Sequence, residues 1–268
     1  MSDHTEIETR ARDGDAVAQF DLGVLYASGH GVKQDMAEAE RWWREAASQG
    51  ESRAQVNLGV MYANGFGVPR NPAEAERWWR AAAERENLTA QAALGEMYAR
   101  GAGVPRDIQT GLMWFKRAAR AGHPPAEYEL GIRFLTGEDV DKDALEAVRW
   151  LTLAAEKGHD WAQYNLGICF RDAIGVERDL PRAVDWFRRA AESGNSKAQV
   201  NLGSAYATGE GVELDLVVAQ MWFLIASAND NGFARQNALA AQLRLPPEGH
   251  RRANLLAREW LSRRSPRR

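Results

Sequence analysis

The chain of 268 residues holds a single cysteine, Cys169. A lone thiol excludes an intrachain disulfide and any metal site built on several cysteines, so packing alone must stabilise the fold. No apolar run approaches the roughly 20 residues that cross a bilayer. Residues 1–20 lack the apolar stretch of a secretory leader, which points to a cytoplasmic protein with no membrane insertion. An excess of either charge is also missing. The net charge of -3, from 34 basic and 37 acidic residues, is too small to announce a membrane partner or to make nucleic acid an expected one. The five histidines, His4, His30, His123, His159 and His250, include no pair at i, i+3 or i+4. No metal and no cofactor is therefore expected. No serine is followed three places later by lysine, so the Ser-x-x-Lys nucleophile pattern is absent. What the chain has in excess is tryptophan, ten residues of it, and their positions organise the rest.

Those positions repeat every 36 residues without a slip. Trp42, Trp78, Trp114, Trp150, Trp186 and Trp222 keep the step, and so do Gly23, Gly59, Gly95, Gly131, Gly167 and Gly203, each preceded by leucine. An aromatic follows each glycine three places on, at Tyr26, Tyr62, Tyr98, Phe134, Phe170 and Tyr206. Alanine keeps time from Ala18 through Ala54, Ala90, Ala126, Ala162 and Ala198 to Ala234. A period of this length is the signature of a stacked repeat architecture.

Each copy reads as two helices. In the first, alanine, leucine and aromatic fall at i, i+4 and i+8, one face of a helix, and the glycine beside the leucine lets a neighbouring helix approach. In the second, Ala39, Trp42, Trp43, Ala46 and Ala47 make one apolar stripe, which places the tryptophan pairs in the core. Asp35, Asn71, Asp107, Asp143, Asp179 and Asp215 predict N-caps for the second helices. Glu38, Glu74 and Glu146, three places later, add a capping-box pattern. Gly50, Gly122, Gly158 and Gly194 stand where a left-handed residue ends the second helix, whereas Glu86 and Asp230 depart from that rule. The paired glycines of Gly29-His30-Gly31, Gly65-Phe66-Gly67, Gly101-Ala102-Gly103 and Gly209-Glu210-Gly211 follow helices rather than strands, so they read as turns and not as phosphate cradles.

The organisation expected is one continuous solenoid domain: an N-terminal capping helix in 1–15, repeats at 16–51, 52–87, 88–123, 124–159, 160–195 and 196–232, capping helices in 233–264 and a basic tail at 265–268. Atypical ends hide a hydrophobic face from water. Trp260 is expected to seal the C-terminal cap. From Arg251 to Arg268 seven arginines stand against Glu259, which reads as a solubilising, frayed end.

The pattern Ala-x-x-x-Leu-Gly-x-x-Tyr, Gly-x-Gly-Val, Ala-x-x-Trp-x-x-x-Ala-Ala-x-x-Gly, seen from Ala54 through Ala82, resembles the Sel-one-like repeat (SLR) family, a relative of the tetratricopeptide repeat. Two loops depart from it: Gly137-Glu138-Asp139-Val140 lacks the second glycine and Ala173-Ile174-Gly175-Val176 the first. The resemblance implies an all-α fold, an α-solenoid winding as a right-handed superhelix of six helix-turn-helix repeats plus capping helices, and a role in assembling protein complexes. Bacterial relatives resemble regulators of signalling, envelope and secretion functions, and some are immunity proteins that occlude a toxin. Others resemble penicillin-binding or β-lactamase-type proteins, but those are cysteine-rich and this chain lacks their nucleophile pattern.

Alignment with the tetratricopeptide pattern implies which first-helix positions line a concave groove. They are largest in the fourth and fifth copies, at Tyr128, Ile132, Leu135, Trp161, Tyr164, Ile168 and Arg171, with Asn57, Asn165 and Asn201 available to bond a ligand backbone. Packing of Tyr128, Trp161 and Tyr164 on one another, and bridging of repeats by the asparagines, are the alternatives. The function expected is a non-enzymatic scaffold or adaptor that takes a protein or peptide partner in this groove, with an immunity or inhibitor protein as the alternative and a penicillin-binding-type hydrolase disfavoured. No small-molecule substrate is expected, and a monomer is favoured over a dimer.

Overall fold

The computed structural model describes residues 3–228 and 232–264; Asp230 and the tail that carries Arg267 and Arg268 lie outside them. Among the described residues there are fifteen helices and no strand. The chain divides into two compact units, Met1–Ala126 and Glu127–Arg268.

In the first unit α1 (Asp3–Arg12) precedes three helix pairs: α2 (Ala16–Ser28) with α3 (Met36–Ser48), α4 (Ser52–Asn64) with α5 (Pro72–Glu84), and α6 (Leu88–Arg100) with α7 (Ile108–Arg120). The division falls in α8 (Pro124–Thr136), which leads into α9 (Ala144–Glu156). The second unit continues with α10 (Asp160–Asp172), α11 (Leu180–Glu192), α12 (Ser196–Thr208), α13 (Leu216–Ala228), α14 (Gly232–Leu243) and α15 (Pro247–Arg264).

The repeated leucines are the centre of each layer. Leu22, Leu58, Leu94, Leu130, Leu166 and Leu202 are fully buried, each worth about 1.5–3 kcal/mol of apolar burial. The glycine that follows them admits a side chain rather than a backbone. A Cβ on Gly59 would stand 2.2 Å from the Trp79 ring, and Gly23, Gly95, Gly167 and Gly203 meet Trp43, Phe115, Phe187 and Phe223 in the same way. Trp43 and Trp79 then donate Nε1–H to the carbonyls of Phe20 (3.2 Å) and Val56 (3.3 Å). The other member of each aromatic pair is less uniform: Trp42, Trp114 and Trp222 are buried, but Trp78, Trp150 and Trp186 are only half-buried.

All six second-helix caps form; the Arg182 amide, for example, donates to Asp179 Oδ1 at 2.9 Å. The reciprocal half of the capping box does not. The amide that Glu38, Glu74 and Glu146 would accept is already bonded to the carbonyl of the first-helix aromatic, as in Asp35 N–H to Tyr26 O at 2.9 Å. Those glutamates pair with Arg41, Arg77 and Arg149 instead.

The first helices carry caps of their own at the same 36-residue step, in Asp15, Glu51, Asn87, His159 and Asn195. The next residue pattern ties copy to copy. Gln19, Gln55, Gln91, Gln163 and Gln199 are buried and donate Nε2–H to the carbonyls of Ala11, Ala47, Ala83, Ala155 and Ala191 at 3.0–3.2 Å. Each bond satisfies a carbonyl at the C-terminal end of the preceding helix, where no intrahelical partner is available.

Three loop positions keep a left-handed backbone without glycine: Glu86 (φ 63°), Asp139 (φ 67°) and Ala173 (φ 56°). The loop conformation thus survives the departures visible in the sequence, at the cost of strain. The C-terminal segment corrects the expectation of a frayed end. Residues Pro247–Arg264 form one helix, Trp260 packs edge-on to Trp222 at 5.8 Å, and the Arg264 guanidinium donates to the carbonyls of Glu192 and Ser193, capping α11. No helix among the described residues is long and apolar enough to cross a membrane.

Candidate partner-binding surface

The second unit brings together most of the residues singled out above. Tyr128, Ile132 and Leu135 on α8, with Tyr164 and Ile168 on α10, are half-buried and pack against the unit's hydrophobic core. Tyr128 stacks on the His159 ring at 4.6 Å. Burial is the main cause that pushes the Tyr128 phenol above its ordinary pKa, with Glu129 and Asp160 adding to it and Asn165 opposing. Asn165 donates to the Trp161 carbonyl at 2.8 Å, so its amide is engaged within the fold.

Trp161 is more open than Tyr128 and Tyr164, 40% exposed. It meets Tyr164 edge-on at 5.9 Å, and Lys197 stands 5.3 Å over its ring. Tyr164 tilts in turn against Phe187 at 6.1 Å. Arg171 is held by Asp172, at 2.7 and 2.8 Å, and lies 6.0 Å over Phe187. That pairing lowers the Asp172 carboxyl below its usual range and raises Arg171. Asn57 lies on α4, in the other unit.

The open volume sits beside this aromatic run. One cleft of about 120 Å³ is lined by Arg171, Phe187, Asn201, Ser204, Ala205 and Thr208, together with residues of α11 and Glu210. A second, of about 170 Å³, is lined by Ser204, Ala207, Thr208, Phe223, Asn237, Ala240, Ala241 and Arg244. The two are one site built twice. Arg171, Phe187, Asn201, Ser204, Ala205 and Thr208 of the first correspond, one 36-residue step on, to Ala207, Phe223, Asn237, Ala240, Ala241 and Arg244 of the second. Each has a phenylalanine and an asparagine whose side-chain amide has no hydrogen-bond partner among the described residues.

The clefts exist because the side chains shrink. The position filled by Ile132 and Ile168 in the fourth and fifth copies is Ser204 in the sixth and Ala240 in the cap. Of the ten residues expected to bind a partner, Arg171 and Asn201 line a cleft, and the others form the adjoining aromatic run or, for Asn57, lie elsewhere. Asn237 and the small residues Ser204, Ala240 and Ala241 were not expected; a loss of bulk at a fixed repeat position is the signal that marks them.

The helix pairs, the single 36-residue step and the absence of strands among the described residues define an all-α solenoid of repeats. The chain belongs to the Sel1 repeat family, whose pattern matches residues 16–51, 52–87, 88–123, 124–159, 162–195 and 196–231. Among solved structures it is similar to a Sel1 repeat protein from Oxalobacter formigenes, with 34% identity, a TM-score of 0.70, and coverage of 80% of this chain and 85% of that one. It also resembles a protective antigen of uropathogenic Escherichia coli with an SLR fold, at 30% identity and a TM-score of 0.55. There the match covers 98% of this chain but only 64% of the antigen. An immunity protein from Pseudomonas aeruginosa shares the fold at 21% identity and a TM-score of 0.54, over 80% of this chain and 82% of that one. A search of curated proteins gives no significant match.

Proposed function

We propose that the protein is a non-catalytic interaction scaffold that receives an extended protein or peptide segment on the first helices of its second unit, α8, α10, α12 and α14. The observation that carries this reading is the pair of equivalent clefts one repeat apart, each pairing a phenylalanine with an unengaged asparagine amide. An amide can accept from a backbone N–H and donate to a backbone C=O at once, which suits a segment that runs across successive repeats. The clefts, at about 120 and 170 Å³, are smaller than the roughly 300–1,000 Å³ of typical small-molecule sites and match single side chains. Beside them Trp161 and Arg171 supply the residue types that anchor interfaces. A lone buried thiol fits a cytoplasmic setting.

The test is recovery of the natural partner by wild type, by Trp161→Ala/Tyr164→Ala and by the cleft-filling Ser204→Trp. Loss of the same partner in both variants, with helicity retained, supports the reading. Equal recovery by all three forms sinks it. The second reading, an immunity protein, takes support from the solved immunity proteins that share the fold. Stoichiometric inhibition of a toxin encoded beside this gene would establish it, and a wild-type protein that leaves such a toxin fully active would remove it.

A further inference from the structure

The second helices of the first two repeats balance their charges internally. On α3, Arg41 pairs with Glu38 at 2.8 Å and Arg44 with Glu40 at 2.7 Å; on α5, Arg77 pairs with Glu74 at 2.9 Å and Arg80 with Glu76 at 2.7 Å. Arg44 and Arg80 also donate to Tyr62 and Tyr98 on the next helix, so a glutamate, an arginine and a tyrosine close a clamp between copies. In the third copy every acid of that pattern is gone. Where α5 has Glu74, Glu76 and Glu84, α7 has Thr110, Leu112 and Arg120, and the clamp tyrosine is replaced by Phe134. The cation remains as Lys116.

The result is a helix with Lys116, Arg117 and Arg120 and no acid. All three cations are exposed, and none has an ion-pair partner among the described residues; Arg117 lies 5.6 Å over the ring of the buried Trp114. Lys116 and Arg120, at i and i+4, repel one another. They surround Met113, which is 53% exposed, above the buried Leu112 on one open face of the helix. Methionine adapts to a range of apolar shapes. No aromatic belongs to this patch, so the stacking platform that single-stranded nucleic acid uses is missing from it.

We infer that the outer face of α7 is a second interaction surface, which docks an acidic segment of a partner protein that seats an aliphatic side chain against Met113. Carboxylates of that segment replace the three that α7 has lost relative to α5. The surface lies on the first unit, on a second helix, and is separate from the clefts of the second unit.

The experiment titrates the full chain into a fluorescein-labelled amphipathic peptide of glutamate and aspartate with one leucine per helical turn, followed by anisotropy. Controls are the same peptide with serine for leucine and a single-stranded DNA of equal charge. Wild type should bind the leucine peptide, more weakly as salt rises from about 50 to about 200 mM. Lys116→Glu/Arg120→Glu should weaken it about tenfold or more. Met113→Ser, or the serine peptide, should weaken it several-fold. These residues are exposed, so circular dichroism of the variants should match wild type. Ser204→Trp should bind the peptide as wild type does, which lets this surface and the proposed clefts fail separately. Absent binding by wild type, unchanged binding by the charge-reversed variant, or tighter binding of DNA than of the peptide would each overturn the inference.

Discussion

Replacing Gly59 by alanine separates this architecture from an ordinary helix bundle. In an exposed helix interior the change stabilises by about 0.5–1 kcal/mol, because glycine loses more backbone entropy on folding. Here the added Cβ would stand 2.2 Å from Trp79 Nε1 and 2.3 Å from Cδ1. The indole is 8% exposed and cannot move aside without disturbing its neighbours in the core. Overpacking of that kind costs about 1–3 kcal/mol. Displacing the ring also loses the Nε1–H bond to the Val56 carbonyl, worth about 1 kcal/mol. The net expectation is destabilisation by about 1–3 kcal/mol, read as a lower urea midpoint by far-UV circular dichroism. In a Trp79→Ala background the ring is absent, and the same Gly59→Ala change should become neutral or stabilising. A Gly59→Ala protein as stable as wild type, or a double variant that shows no change of sign, would refute the packing argument.

Other consequences are equally direct. Ala173→Gly relieves a left-handed alanine and should raise stability by about 0.5–1 kcal/mol, measured by urea unfolding; Glu86→Gly should act in the same direction. Burial holds the His159 imidazole below its ordinary 6.5, against the pull of Asp160 and Glu129, while Nδ1 accepts the Ala162 amide at 3.2 Å. The unfolded chain therefore takes up its proton first, so the stability present above about pH 6.5 is lost as pH falls through the folded value. His159→Asn, a cap of the Asn195 type, should lose less stability between about pH 7 and 5 in pH-dependent urea titrations. Cys169 is fully buried with its thiol pushed up to about 11, so it should resist alkylation in the native state at about pH 8 and react on unfolding.

The repeat, its helix pairs and the second-helix caps were legible because each rests on one residue type at a fixed step. The first-helix caps escaped notice for the opposite reason: aspartate, glutamate, asparagine and histidine all accept the same bond at that step. The buried glutamines were hidden beside alanine, where a polar residue looks like surface. Large residues drew attention to Tyr128, Trp161 and Tyr164, yet much of their area packs inside the unit. The clefts arise from side chains that are small, Ser204 and Ala240 where earlier copies have isoleucine, and a vacancy shows only when the copies are superimposed. Fraying at the C terminus was expected from arginine count, whereas Trp260 and Arg264 anchor that helix.

The most direct test is calorimetric titration of the natural partner, once captured, into wild type and into Ser204→Trp, which adds bulk at the residue that lines both clefts. The scaffold reading predicts about a tenfold or greater loss of affinity with unchanged helicity and unchanged urea midpoint. Equal affinity for the two proteins would contradict it.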